Sequence, residues 1–106
     1  MQKDAARSQT RDPGLLILAS LAAGPRHGYA MVEDIAEFGG ARLGPGTLYG
    51  ALARLEEAGL IEPLDADDRR RPYRLTAAGL GVLAGEIEAL ERVVVTVRDR
   101  LAKPST

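Results

Sequence analysis

Between residues 80 and 101 the chain places an apolar residue at alternating intervals of three and four: Leu80, Leu83, Ile87, Leu90, Val94, Val97 and Leu101. This is the a/d spacing of a heptad, and it predicts one helix with a narrow apolar seam reaching about Lys103. Gly79, Gly81 and Gly85 lower helix propensity early on, and Val93-Val94-Val95-Thr96-Val97 has strand-like composition. The seam keeps its register through those valines, so the helical reading stands. One helix cannot bury such a seam by itself. In a chain of 106 residues the simplest partner is a second copy of the chain, which makes these seven residues the expected dimerisation surface.

A second, shorter helix can be read from its start, period and stop. Gly44 suits the N-cap, Pro45 the first helical position and Gly59 a left-handed C-cap. Leu48, Leu52 and Leu55 form its apolar stripe, with Ala51 and Ala58 on the edge. The opposite face carries Gly46, Thr47, Gly50, Ala53, Arg54 and Glu57, flanked by Tyr49 and Glu56. So low a surface can approach another backbone closely. Its candidate phosphate or base contacts are Thr47, Tyr49 and Arg54.

Two helices are expected upstream. Asp12-Pro13-Gly14 opens a Leu- and Ala-rich run that stops at Gly24-Pro25, which reads as a largely buried core helix. After a turn through Arg26, the segment from His27 to Phe38 has Tyr29, Val32, Ile35, Ala36 and Phe38 as its apolar stripe and Glu33, Asp34 and Glu37 on the wet side. His27 suits a capping or packing role at that helix start. A link of residues 39–43 then leads into the Pro45 helix, the outline of a helix-turn-helix.

Downstream, Leu60 to Asp65 and Tyr73 to Leu75 are short apolar/polar alternations around a polar connection. They predict a two-stranded hairpin with a basic tip, the wing of a winged helix. Arg69, Arg70 and Arg71 at that tip suit phosphate oxygens or a narrow minor groove. The expected fold class is therefore mainly α with a small β-hairpin. Residues 1–11 are expected to form a flexible arm, 12–75 a winged helix-turn-helix DNA-binding domain, and 76–103 a C-terminal dimerisation helix.

Composition narrows the function classes. The net charge of −1 gives no global attraction to nucleic acid, but the basic charge is local, with Arg69, Arg70, Arg71 and Arg74 close together. There is no Cys and His27 is the only His, which argues against disulfides, thiol chemistry, a metal centre and any histidine relay. No nucleophile–base pair or phosphate-binding glycine loop is present, so neither an enzyme nor a cofactor is expected. No apolar run approaches the roughly 20 residues of a membrane helix. The polar start is unlike a signal peptide, and a cytoplasmic location is expected.

Three stretches in order resemble the PadR family of bacterial transcriptional regulators. They are Leu18-Ala19-Ser20-Leu21 through Gly24-Pro25-Arg26-His27-Gly28-Tyr29; Gly46-Thr47-Leu48-Tyr49 with Ala51-Leu52-Ala53-Arg54-Leu55-Glu56-Glu57-Ala58-Gly59-Leu60-Ile61; and Arg71-Pro72-Tyr73-Arg74-Leu75-Thr76 with Gly79. The resemblance covers about residues 14–80. It implies a winged-helix domain bound to double-stranded DNA, homodimerisation through the C-terminal helix, and repression of nearby genes released by a small-molecule or stress signal. The single C-terminal helix is similar to the shorter branch of the family. By position, the resemblance puts Thr47 and Tyr49 on phosphates, Tyr29 near the DNA backbone, and Arg69, Arg70 and Arg71 in the wing. Gly50, Ala53 and Asp67-Asp68 stand where family members often carry Pro, Lys and a wing-turn Gly, departures that bear on affinity more than on fold. The chain has no Trp, so a Trp-lined effector pocket is not supported, and no ligand is named.

Two functions follow. The leading one is a homodimeric repressor whose two recognition helices enter major grooves about 34 Å apart on a pseudo-palindromic operator. The alternative is a winged-helix dimerisation or protein-interaction module without DNA binding, motivated by the net acidity and the bare recognition face.

Overall fold

The computed structural model describes residues 12–65 and 70–103. Its elements are α1 (Pro13–Leu21), β1 (Arg26–His27), α2 (Gly28–Gly39), α3 (Pro45–Glu57), β2 (Ile61–Pro63), β3 (Pro72–Leu75) and α4 (Ala77–Ala102). The N-terminal arm and the wing tip at Arg69, with Asp67 and Asp68, lie outside the described residues.

α1 begins where the sequence places a cap: the Asp12 carboxylate accepts from the Leu15 N–H at 3.1 Å, and Pro13 occupies the first turn. Leu16, Ile17, Leu18 and Leu21 are all buried, so this helix is covered nearly all round. It packs on α2, α3, α4 and β3 and is the centre of the molecule. Met31, Val32 and Ile35 of α2, Leu48, Ala51 and Leu52 of α3, Ile61 of β2 and Leu83 of α4 complete the core. Each large aliphatic side chain so enclosed contributes about 1.5–3 kcal/mol.

The buried polar residue Ser20 donates to Asp34 Oδ2 at 2.8 Å, while Arg26 Nε donates to the Ser20 carbonyl at 3.1 Å. This ties α1 to α2, and no buried side-chain nitrogen or oxygen among the described residues is left unpaired.

The α3 C-terminus closes as a Schellman turn. The Leu60 N–H donates to Leu55 O and the Gly59 N–H to Glu56 O, each at 3.0 Å, with Gly59 at φ +78°. Thr76 then locks the start of α4 onto this turn. Its hydroxyl donates to Gly59 O at 2.6 Å and accepts from the Gly79 N–H at 3.0 Å, while its own N–H donates to Leu60 O at 3.1 Å. α4 continues through the valines as one helix of 26 residues, about 39 Å long at 1.5 Å per residue.

Two expectations need correction. The expected hairpin forms as the antiparallel β2–β3 pair, but the sheet holds a third strand that the sequence did not signal, in the order β1-β3-β2. Arg26 and His27 pair with Tyr73 and Pro72, and a strand of two residues is too short to show any alternation. The apolar stripe of α2 is also rotated. Gly28, Met31, Val32 and Ile35 are buried, whereas Tyr29 and Phe38, assigned to the stripe, are exposed. The i, i+3, i+4, i+7 set centred on Met31 fits α1 and leaves the tyrosine at the surface.

Candidate nucleic-acid interface

α3 presents the face that the sequence left bare. Gly46, Thr47, Tyr49, Ala53, Arg54, Glu56 and Glu57 are exposed, while Leu48, Ala51 and Leu52 hold the helix to the core. Thr47 stands in the first turn. Arg54 lies along the helix over Gly50, its guanidinium 3.6 Å from where a β-carbon on that glycine would be.

Beside the start of α3, a cleft of about 180 Å³ is lined by His27, Gly28, Tyr29, Tyr49, Arg70, Arg71 and Tyr73. Three parts of the fold meet there: the first turn of α2, the start of α3 and the wing. The absence of a side chain at Gly28 admits the Tyr49 ring, whose hydroxyl would stand 3.3 Å from a β-carbon at that position. Tyr29 is 63% and Tyr49 59% exposed, so both rings belong to the surface of this face. His27 caps α2 by accepting from the Ala30 N–H at its Nδ1, 3.4 Å away, which leaves the ring proton on Nε2.

This arrangement is suited to a phosphodiester. Two guanidinium groups, phenolic donors and the positive end of a 12-residue helix converge on one opening. The cross-strand pair Glu62 and Arg74, opposed in the β2–β3 register, is bonded at 2.6 Å and takes Arg74 out of the basic cluster. Arg26 is likewise engaged with Ser20 and Asp34. Arg70 and Arg71 are the guanidinium groups that line the cleft itself.

Of the anticipated site residues, Tyr29, Tyr49, Arg70 and Arg71 come together at the cleft. Thr47 and Arg54 stand apart from it on the exposed face of α3, and Arg69 lies outside the described residues. His27, Gly28 and Tyr73 line the cleft but were not anticipated there. Tyr73 reaches it because β3 is the central strand, pairing with Arg26 on one side and Pro63 on the other.

A second exposed cluster lies on the outer side of α2. Glu33 bonds Arg42 of the link into α3, and this contact holds the Glu33 carboxyl below its ordinary range and raises the Arg42 guanidinium. Along α4, Leu80, Ile87, Leu90, Val94, Val97 and Leu101 of the heptad seam are exposed, as are Val82, Val93 and Val95 outside it. Leu83 differs: it is 7% exposed and belongs to the core of its own chain, because the first turns of α4 pack on α1. Among the described residues no helix is long and apolar enough to cross a membrane, and no cluster of three or more His, Cys, Asp or Glu side chains is placed to hold a metal ion.

A helix-turn-helix, a wing hairpin within a three-stranded sheet and a long C-terminal helix define a winged-helix protein of the DNA-regulator class. The family model described as "Transcriptional regulator PadR-like family" matches residues 17–85, and the chain belongs to that family, whose members are transcriptional regulators and not enzymes. The chain is 48% identical over 85 residues to a 37.1 kDa protein in a transposon of Streptomyces fradiae, covering 80% of this chain and 25% of that protein. It is 41% identical over 70 residues to a transcriptional regulator of Mycobacterium tuberculosis, covering 63% of this chain and 64% of that one. The chain thus spans a quarter and just under two thirds of these two relatives. In structure it resembles a transcriptional regulator from Clostridium thermocellum, with a TM-score of 0.73, 28% identity and coverage of 94% and 96% of the two chains.

Proposed function

We propose that this chain is a cytoplasmic, sequence-specific DNA-binding regulator that works as a homodimer and represses genes until a small-molecule or stress signal releases it. The observation that carries the reading is the cleft where Arg70 and Arg71 of the wing meet Tyr49 of α3 and the first turn of α2. In this pose α3 enters the major groove. Its short side chains let the helix sit deep, Thr47 and Tyr49 hold the phosphate backbone, and Arg54 reaches toward base edges or phosphate further along. The exposed α4 seam supports self-association, with two such faces on a pseudo-palindromic site.

Fluorescence anisotropy on duplex DNA from the region upstream of the coding sequence, repeated over a range of salt, tests this reading. Saturable binding is expected, with log affinity falling by about 0.9 per phosphate neutralised for each unit of log salt. Arg70→Glu combined with Arg71→Glu abolishes that binding. An unchanged isotherm in the double variant would instead favour a winged-helix interaction module without DNA contact.

A further inference from the structure

Arg42 lies in the link between α2 and α3, just before the α3 N-cap Gly44. Its guanidinium bonds the carboxylate of Glu33, one helical turn along α2 from Tyr29. The Tyr29 hydroxyl joins this pair and favours the ionised form of both partners. The same tyrosine lines the cleft that holds Tyr49, Arg70 and Arg71. One side chain is thus shared between the cleft and the Glu33–Arg42 pair, and a DNA backbone laid across Tyr29 passes both.

This pair is built differently from the other arginine contacts near the face. Arg26 meets Asp34 with its side chain only 30% exposed, and it also holds the Ser20 carbonyl. Arg74 faces Glu62 in the register that the β2–β3 pairing imposes. Arg42 stands on a connecting segment with its side chain 58% exposed. An ion pair so open to water gains little over the two hydrated ions, so exchanging one anion for another costs little. A phosphate offers guanidinium the same planar, two-point acceptor as a carboxylate. Glu33 has the opposite relation to DNA: a carboxylate one turn from Tyr29 repels any phosphate that docks there.

We propose that Arg42 is a further DNA-backbone contact of this face, and that in the free chain the Glu33 carboxylate holds the place of the phosphate. On docking, Arg42 turns from Glu33 to a phosphate oxygen beside Tyr29, and Glu33 is left to solvent. Glu33 is then a built-in competitor that lowers affinity for every duplex alike, since the contact it opposes carries no sequence information. The proposal rests on the DNA-binding reading above and adds to it one contact and one restraint.

Competition predicts opposite signs for the two halves of a single ion pair. The test is fluorescence anisotropy of the full chain on a duplex of random sequence, over a range of salt. Arg42→Gln is expected to weaken binding about tenfold and to reduce the salt slope by about one, while Arg42→Lys keeps the slope. Glu33→Gln is expected to tighten binding about threefold, the scale of an exposed ion pair. In the Arg42→Gln background that gain should shrink to the gain from Glu37→Gln, which removes an acid one turn further along α2.

If the pair only ties the link to α2, Arg42→Gln and Glu33→Gln would both weaken binding with the slope unchanged, which would overturn the proposal. An Arg42→Gln variant with the parent's affinity and slope, where the double variant of Arg70 and Arg71 to Glu has lost binding, would overturn this inference alone. A wild-type chain that binds no duplex would overturn the regulator reading and this proposal with it.

Discussion

The backbone of Gly79 lies so close to the carbonyl of Leu60 that a β-carbon on the glycine would stand 2.0 Å from that oxygen. The first turn of α4 is thereby pressed onto the Schellman turn that ends α3, with Thr76 bonding both sides of the contact. The end of α3 and the start of α4 thus touch directly, although β2, β3 and the loop between them separate the two helices in sequence.

Gly79→Ala should therefore destabilise the fold by about 2–4 kcal/mol, because the obstructing atom is backbone and cannot rotate away. Gly85, further along the same helix, has open space where its β-carbon would go. Gly85→Ala should stabilise by about 0.5–1 kcal/mol through helix propensity. Thermal unfolding of the two variants, followed by circular dichroism, should shift in opposite directions.

Thr47→Ala combined with Tyr49→Phe removes two hydroxyl groups from the exposed start of α3 and no apolar contact of the core. Affinity should fall about equally for the operator and for unrelated duplex if these groups only hold phosphates. A selective loss on the operator, measured by competition anisotropy, would show instead that they read bases.

The Glu33 carboxyl titrates below its ordinary range because Arg42 donates a hydrogen bond to it, with a smaller contribution from Tyr29. A group whose folded pKa is depressed adds stability above its unfolded value and loses it as pH falls through the folded one. In Arg42→Gln the Glu33 midpoint should rise toward that of an ordinary glutamate, which carboxyl-carbon NMR can follow directly. A midpoint that does not move would mean that the ion pair is not formed in solution.

Leu90→Asp places a charge in the middle of the α4 seam, where pairing would bury it without a partner. Sedimentation should then show monomer at concentrations where the parent chain is dimeric. Because Leu90 is exposed in the single protomer, the circular dichroism spectrum of the winged-helix body should be unchanged.

Much of this architecture is local and was legible in the residues. Asp12-Pro13 begins α1, Gly44-Pro45 begins α3, Gly59 ends it and Thr76 begins α4, because each cap depends on neighbours within four positions. The unbroken α4 followed from heptad spacing, which outweighed the β-branched composition of Val93 to Val97. The third strand was not legible, since Arg26 and His27 carry no pattern and become a strand only by pairing with Pro72 and Tyr73. The rotation of α2 was ambiguous for a similar reason: Tyr29 is apolar enough to count in a stripe, and only the shape of α1 selected Met31 in its place.

The site divides along the same line. Sequence alone determined the bare face of α3, the basic wing and the apolar seam, because each is a property of one segment and its period. The tertiary fold decided that Gly28, Tyr49, Tyr73 and the wing arginines share one cleft, that Arg74 is neutralised by Glu62, and that Leu83 belongs to the core. Those are contacts between segments far apart in the chain. They exist only once burial around α1 has set how the helices and the sheet are oriented against one another.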